Sequence, residues 1–167
     1  MSTIRKISAP DIAKITDIYN YYVENTVFTF EERPVSKTAI QQRVDRVSSL
    51  KLPWLVLESE FQVMGYAYAT QWKARSAYRF TVEVTIYLSP DQQGKGYGKA
   101  LYQELFRQLS STATRSCIAV ITLPNEASIS LHEKMGMRKV AHFEGVGFKF
   151  GSWQDVGYWQ AQLPNSH

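Results

Sequence analysis

The spacing of apolar residues predicts a strand and two helices at the start of the chain. Thr3 to Ile7 alternates between polar and apolar residues as a short strand does. The next apolar residues have helical spacing, so we predict a helix that begins near Asp11 and buries Ile12, Ile15, Ile18, Tyr19 and Tyr22. Thr26 to Phe30 is rich in β-branched and aromatic residues and predicts another strand. Ser36 is placed to cap a second helix, which we expect to end near Ser48.

The middle of the chain contains the clearest strands. Two β-rich stretches, "PWLVLE" and "VMGYAYATQW", flank a polar turn and predict a hairpin. A basic loop, "KARSAYR", leads into "FTVEVTIYL", where one face of a strand would carry Val82, Val84, Ile86 and Leu88. The opposite face would carry Thr81, Glu83, Thr85 and Tyr87. A carboxylate in the middle of such a strand is costly unless it is solvated or paired, so Glu83 is a candidate functional residue.

The second half of the chain mixes crossovers with a hairpin. We predict a helix over 97–110 with a core face of Leu101, Leu105, Phe106 and Leu109. "SCIAVITL" predicts a buried strand, after which Asn125 caps a short helix that stops at Gly136. The last two strands form a hairpin, which we expect to turn at Gly151–Ser152. This order predicts an α/β (α+β) fold with one mixed sheet rather than a doubly wound one.

Composition is typical of one globular domain. The chain has 167 residues, of which 44% are hydrophobic and 20% charged, and this is enough to bury a core. We predict a single domain over residues 1–164 and a short tail at 165–167. The one cysteine, Cys117, lies in an apolar run, which predicts a buried thiol and fits a reducing compartment. Since we find neither a signal-peptide core nor an apolar run of membrane-spanning length, we expect a cytoplasmic protein that binds no membrane.

The formal net charge of +4 is mild, and the basic residues are scattered. No run of Lys and Arg interleaved with aromatic residues is present, so we expect no nucleic-acid partner. An acidic small molecule would explain the basic bias equally well, and so would the absence of any charged partner.

A glycine loop, "SPDQQGKGYGKAL", lies between a predicted strand and a predicted helix. Such a loop directs backbone N–H groups and the positive end of a helix dipole at one point, where phosphate fits. The spacing excludes a P-loop, because Gly94 and Gly98 enclose three residues and Ala100 follows Lys99. It also excludes the dinucleotide fingerprint, because Lys99 replaces the last glycine. A tight turn that uses glycine only for positive φ stays open as an alternative.

The loop resembles the pyrophosphate loop of the GNAT N-acetyltransferase superfamily, Q-x-x-G-x-G, through Gln93, Gly96 and Gly98. "NEASISLHEKMGM" is similar to a second motif of that superfamily. The resemblance implies a mixed sheet of about seven strands with about four helices. It also implies that the diphosphate of acetyl-CoA is held by Gln93, Gly94, Lys95, Gly96, Tyr97, Gly98 and Lys99. It further implies that the pantetheine arm meets Asn125 and the main chain of Ile86, Tyr87 and Leu88.

A narrower resemblance covers nearly the whole chain. "WKARSAY", "TVEVTIYLSP", "VITLPN", "SLHEKMG" and "FKFGSWQDVGYWQ" together resemble the phosphinothricin and methionine-sulfoximine N-acetyltransferases. The phosphinothricin enzymes usually have Lys-His-Gly where this chain has Lys149, Phe150 and Gly151. We associate the form with Phe150 more with the methionine-sulfoximine enzymes. The resemblance implies direct acetyl transfer from acetyl-CoA to the α-amine of a small amino-acid-like inhibitor, hence antibiotic or herbicide resistance. It also implies a homodimer, to which Trp153, Tyr158 and Trp159 would contribute.

The same resemblance assigns roles to polar residues. Glu83 would be the general base, acting directly or through water, and His132 would be a second catalytic residue, acting as acid or base. The acceptor would bind between the basic loop and the Glu83 strand, against Lys73, Ala74, Arg75, Tyr78, Glu83, Val84 and Thr85. We expect no metal, because Gly136 stands where a zinc-binding H-E-x-x-H needs its second histidine.

Three other functions stay open. The acceptor could be a protein N-terminus or a polyamine rather than an amino acid. The domain could also bind acyl-CoA without catalysis. A nucleic-acid binder is the most distant alternative, and salt-dependent retention on DNA would test it.

Overall fold

The computed structural model describes residues 1–164, in which seven strands form one mixed sheet covered by four α-helices. The predicted tail at 165–167 lies outside the described residues. In chain order the elements are β1 (Ser2–Lys6), α1 (Ile12–Asn25), α2 (Lys37–Ser49), β2 (Trp54–Ser59), β3 (Gln62–Gln71), β4 (Thr81–Leu88), α3 (Tyr97–Ser110), β5 (Ser116–Leu123), α4 (Glu126–Lys134), β6 (Arg138–Lys149) and β7 (Ser152–Gln162). The sheet order is β1-β2-β3-β4-β5-β7-β6, with β4 and β5 parallel and every other neighbouring pair antiparallel. The predicted fold class is confirmed.

Each face of the sheet packs against its own pair of helices. α1 and α2 cover the face that carries Trp54, Val56 and Tyr66. α3 and α4 cover the opposite face, where Val82, Val84, Cys117 and Trp159 lie in the core. The predicted buried positions of α1 and α3 are confirmed, because the apolar stripe of each helix meets one side of the sheet. No helix in residues 1–164 is both long enough and apolar enough to cross a bilayer.

The strand that we predicted at Thr26–Phe30 is wrong, because this segment pairs with no other strand. Side chains hold it instead: the Tyr19 hydroxyl lies 2.8 Å from Thr29 Oγ1. The ring of Phe30 covers Gly147 so closely that a Cβ there would come within 2.3 Å of it. β-Propensity describes how well a residue fits a half-buried sheet, and here the side chains of the segment pack without any strand partner.

The closing hairpin turns one residue earlier than we predicted. Lys149 pairs with Ser152, so the two turn residues are Phe150 and Gly151, with φ of 52° and 73°. Two positive φ angles define a type I′ turn, which matches the twist of the flanking strands. A second correction concerns Trp159, which is only 2% exposed within the core and is therefore not available to a dimer interface.

Lys149 is a buried lysine that joins two distant parts of the fold. Its side chain is 1% exposed, and Nζ donates to the carbonyl of Val23 at 2.7 Å and to that of Thr29 at 2.9 Å. Val23 lies in the last turn of α1, where a cation also interacts favourably with the helix dipole. The burial lowers the pKa of this ammonium group below its ordinary value.

Replacing Lys149 by Met is expected to lower the free energy of unfolding by about 2–4 kcal/mol, because two buried carbonyls lose their donor. Urea denaturation measures the change. Lys14→Met is the matched control, since Lys14 is exposed on α1, and it should cost less than about 0.5 kcal/mol. Equal destabilisation by the two substitutions would contradict this role of Lys149.

Candidate active site

β4 and β5 pair over only three residues and then separate. The paired residues are Thr81–Ser116, Val82–Cys117 and Glu83–Ile118. Beyond Glu83 the strands diverge, so β4 presents a backbone edge over residues 84–88 that no strand covers. An extended ligand with amide groups can pair with such an edge as an added strand. We call this opening the β4–β5 gap.

The register of β3 and β4 shows which peptide groups face the gap. The N–H of Ser89 donates to the carbonyl of Met64 at 2.8 Å, which makes Gly65 and Leu88 a non-hydrogen-bonded pair. The N–H and C=O groups of Val84, Ile86 and Leu88 therefore point away from β3. The N–H of Val84 still belongs to the ladder with β5, whereas the peptide groups of Ile86 and Leu88 face the gap. Those of Tyr87 point to its β3 partner, Tyr66, so the expectation that Tyr87 offers its main chain to a ligand needs correction.

The glycine loop follows β4 and ends at the first turn of α3. Gly94 and Gly96 have φ of 77° and 82°, and Gly96 occupies the N-cap position of α3. Both glycines are exposed, with no heavy atom within 4 Å of an added Cβ. Lys95 and Lys99 are exposed beside them. Open N–H groups, a helix N-terminus and two cations fit an anion such as a diphosphate.

Glu83 lies where the gap begins, at the last paired position of β4 and β5. Its side chain is half-buried and makes no hydrogen bond or ion pair within residues 1–164. Burial raises the pKa of this carboxyl above its ordinary value of 4.5. An unpaired carboxylate with a raised pKa is a better proton acceptor than a solvated one, so the geometry fits a general base.

Two residues accompany Glu83 on the same face of the sheet. Thr85 follows it on β4, and Tyr68 lies opposite Thr85 on β3. Burial raises the pKa of the Tyr68 hydroxyl above its ordinary value of 10. We did not identify Tyr68 from the sequence; its signal was the alternation in "GYAYAT", which directs Tyr66 and Tyr68 to one face. Val84 points the other way and is 3% exposed under α3, so only its main chain is left to meet the acceptor, and that contact stays a prediction.

His132 is buried on α4, and both of its ring nitrogens are hydrogen-bonded within the protein. Nδ1 lies 2.6 Å from the carbonyl of Ser128, to which only an N–H can donate. Nε2 then accepts from the hydroxyl of Tyr102 at 2.9 Å. Burial lowers the pKa of the imidazole, which favours this neutral form. In this arrangement neither ring nitrogen of His132 is free for a ligand, and its role as a second catalytic residue stays a prediction.

The basic loop between β3 and β4 is exposed over residues 73–80. Thr70 lies opposite Glu83, so this loop leaves the sheet two residues beyond that pair. The edge of Trp72 meets the ring of Tyr78 at 5.2 Å, and Lys73 Nζ lies 5.2 Å above the Trp72 ring. Arg75 has no side-chain hydrogen bond or ion pair within the described part of the chain, so its guanidinium is open to a ligand.

Asn125 is a helix cap in this structure. Its Oδ1 accepts from the N–H of Ser128 at 3.2 Å, as expected for the N-cap of α4. The amide NH₂ makes no hydrogen bond in residues 1–164, so it remains open to a ligand. No group of three or more His, Cys, Asp or Glu side chains in the same residues lies close enough together to hold a metal ion.

Comparison with known proteins gives the family. A model described as an acetyltransferase (GNAT) domain matches residues 4–157. Phosphinothricin N-acetyltransferase of Streptomyces viridochromogenes is 41% identical, over 94% of this chain and 85% of that protein. L-methionine sulfoximine/L-methionine sulfone acetyltransferase of Salmonella typhimurium is 35% identical, over 96% of this chain and 94% of that protein. The phosphinothricin acetyltransferase of Sinorhizobium meliloti, solved with AcCoA, superposes with a TM-score of 0.95 at 39% identity, over 99% and 90% of the two chains. This chain belongs to the GNAT acetyltransferase family.

Proposed function

We propose that this protein transfers the acetyl group of acetyl-CoA to the α-amine of a small amino acid of the phosphinothricin, methionine sulfoximine or methionine sulfone type. One arrangement carries the proposal: the unpaired carboxylate of Glu83 stands at the closed end of the β4–β5 gap, and the anion-binding loop stands at the open end of the same strand. An acyl donor that carries a diphosphate fits between these two points.

In this proposal the donor lies along β4. The loop from Gln93 to Lys99 holds the diphosphate, while the amides of the pantetheine arm pair with the peptide groups of Ile86 and Leu88. Asn125 offers its free amide to the same arm. An N–H of β4 that faces the gap polarises the acetyl carbonyl and stabilises the oxyanion that forms during attack.

The acceptor approaches from the basic loop. Arg75 and Lys73 bind the carboxylate and the phosphinyl or sulfoximine oxygens, since a guanidinium donates two parallel hydrogen bonds to such groups. Ala74, Tyr78 and Thr85 complete the site. The raised pKa of Glu83 suits removal of a proton from the incoming ammonium group, directly or through water.

The chemical step is direct attack in a ternary complex. The amine nitrogen, which has given its first proton to Glu83, forms a bond to the acetyl carbon. The bond from carbon to sulfur then breaks, the nitrogen loses its second proton, and the thiolate of CoA takes up one proton. His132 acts as a positioning residue in this scheme, because both of its ring nitrogens are hydrogen-bonded within the protein, Nδ1 to the carbonyl of Ser128 and Nε2 to the hydroxyl of Tyr102. Such an enzyme would act in the cytoplasm and inactivate amino-acid inhibitors.

The experiment measures thiol release from acetyl-CoA with a panel of amines: phosphinothricin, methionine sulfoximine, methionine sulfone, a short peptide with a free N-terminus, and spermidine. The proposal expects release with at least one of the three amino acids above the rate without amine. Release with only the peptide or spermidine would indicate that the acceptor is a protein N-terminus or a polyamine instead. Binding of acetyl-CoA without release on any amine would indicate a non-catalytic module.

We also propose a homodimer built on the β6–β7 hairpin. Several large apolar side chains of this hairpin are exposed: Val140, Phe143, Val146, Phe148, Phe150 and Trp153. The last turn of α1 reaches the hairpin at Lys149, but the core that α1 and α2 form includes none of these exposed side chains. An exposed apolar patch of this kind is typical of a subunit interface.

Replacing both Phe148 and Trp153 by Ser is expected to convert the dimer to a monomer, because these side chains are 53% and 70% exposed in the single chain. Light scattering after size exclusion measures the mass. Phe61→Ser is the matched control, since Phe61 is 98% exposed at the β2–β3 turn and should leave the dimer intact. A wild-type protein that is monomeric at micromolar concentration would contradict the proposal.

A further inference from the structure

The hydroxyl of Tyr22 joins the end of β4 to the start of the glycine loop. It donates to the carbonyl of Leu88 at 2.6 Å and accepts from Nε2 of Gln93 at 3.1 Å. Leu88 is the last residue of β4, and Gln93 is the first residue of the loop motif. One side chain of α1 therefore holds both ends of the connection between them.

The bond to Leu88 completes the free edge of β4. The carbonyl of Leu88 faces away from β3, and β5 has already diverged at this point. A carbonyl without a strand partner needs a donor or water. Tyr22 supplies the donor, and its bond orients the last peptide plane of the edge that faces the gap.

The bond to Gln93 anchors the loop. The other side-chain hydrogen bonds of the connection are local, from Ser89 and Gln92 to Asp91 and from Lys95 to Gln92. Within the described residues, the bond from Gln93 to Tyr22 is the one side-chain hydrogen bond that ties residues 90–95 to another element. The position of the open N–H groups relative to β4 therefore depends on this hydroxyl.

Tyr22 is itself held rigidly. Its side chain is 5% exposed, and its ring packs against Tyr87 at 5.0 Å and against Tyr21 at 5.5 Å between centroids. A fixed ring gives the hydroxyl a fixed position, so little ordering of the loop is left for the moment when a ligand binds. Pre-organisation of this kind increases affinity without adding a contact to the ligand.

We propose that Tyr22 is a positioning residue for the acyl donor, one that sets the glycine loop in register with the β4 edge. This inference rests on the proposed binding of acetyl-CoA in the loop and the gap. It predicts an effect on the donor alone, because the hydroxyl touches neither Glu83 nor the basic loop.

The test is calorimetric titration of acetyl-CoA into the full-length protein and its variants. Tyr22→Phe removes two hydrogen bonds and keeps the ring, so we expect the dissociation constant for acetyl-CoA to rise about five- to tenfold. In kinetics the KM for acetyl-CoA should rise by a similar factor, with the acceptor KM within about twofold. A purely structural role would not separate the two KM values.

Tyr19→Phe is the matched control. Tyr19 lies on the same face of α1, is 8% exposed and uses its hydroxyl on Thr29 and Glu31 rather than on the loop. It should leave the dissociation constant for acetyl-CoA within about twofold of the wild-type value, although it also loses a buried hydroxyl.

Gln93→Ala removes the other partner of the Tyr22–Gln93 hydrogen bond. Because Gln93 is exposed, the substitution disturbs no core and the protein should fold normally. It should weaken acetyl-CoA binding, and in combination with Tyr22→Phe the loss should be less than the product of the two single losses. A wild-type protein that binds no acetyl-CoA would overturn the proposed function. If the wild-type protein binds acetyl-CoA and the dissociation constant of Tyr22→Phe is within twofold of the wild-type value, this inference alone is overturned. The same holds if Tyr22→Phe and Gln93→Ala weaken binding independently of each other.

Discussion

Replacing Glu83 by Gln is expected to lower kcat by about 10²- to 10⁴-fold while the dissociation constant for acetyl-CoA stays within about twofold. The amide keeps the size of the side chain and its place on β4, but it accepts no proton from an ammonium group. The carboxylate of Glu83 makes no hydrogen bond or ion pair in the described residues, so the substitution breaks no internal contact. Steady-state kinetics and calorimetry measure the two quantities.

The pH profile of the wild-type enzyme gives an independent check on Glu83. The protonated acid cannot act as a base, so kcat/KM should fall as the pH drops through the pKa of Glu83, and burial places this acid limb above pH 4.5. In Glu83→Gln the acid limb should disappear from the residual activity. Turnover like that of wild type in Glu83→Gln would remove Glu83 as the base.

The burial of Glu83 also predicts that Glu83→Gln, which lowers activity, raises the stability of the fold. A carboxyl whose pKa is higher in the folded than in the unfolded state destabilises the fold once the pH rises through those values. Glu83→Gln should therefore raise the melting temperature at neutral pH, and the gain should vanish below pH 4.5, where the carboxyl is protonated in both states. Glu144→Gln, on an exposed residue of β6, is the control that should change neither activity nor stability.

Replacing Arg75 by Ala is expected to raise the acceptor KM by about 10- to 100-fold, because charge-assisted hydrogen bonds to oxyanions are among the stronger contacts in proteins. The KM for acetyl-CoA should stay within about twofold. Arg75 makes no side-chain hydrogen bond or ion pair in residues 1–164, so its removal disturbs little else. Arg75→Lys should lie between wild type and Ala, because it keeps the charge and loses the planar fork.

Arg79→Ala is the matched control for Arg75 within the same loop. Its guanidinium is already engaged, with Nη1 donating to the carbonyl of Ser76 at 3.1 Å and the plane lying 4.3 Å from the Phe80 ring. We expect a much smaller rise of the acceptor KM than for Arg75→Ala. Equal rises for acceptor and acetyl-CoA in Arg75→Ala, or equal effects of the two arginines, would argue against the assigned acceptor site.

The sequence predicts well wherever the determining interactions are local. The bounds of α3 are as predicted, because a glycine with positive φ precedes a run with regular core spacing. Alternation in "TVEVTIYL" correctly separates the face of Glu83 and Thr85 from the buried face. The positive φ of Gly94 and Gly96 and the start of α3 follow from consecutive residues in the same way, while binding of a diphosphate by this loop stays a prediction.

Local patterns fail where a partner is distant. The β-rich segment Thr26–Phe30 pairs with no strand and is held by side-chain contacts instead, which its own composition could not reveal. His132 was recognised by its motif, but its hydrogen bond to Tyr102 shows that it is turned inward. The correction at His132 concerns what the side chain meets, whereas the one at Thr26–Phe30 concerns the element itself.

The amino-acid sequence by itself determined the order of elements, the faces of the central strand and the loop that fits a diphosphate, because these follow from spacing along the chain. Only the tertiary structure decided where β4 and β5 part, which peptide groups face the opening, and how Tyr22 and Lys149 reach their partners. Tyr22 and its partner Leu88 are 66 residues apart in the sequence, and Lys149 and its partner Val23 are 126 residues apart. Contacts of such range depend on the packing of the whole sheet, which no window of neighbouring residues contains.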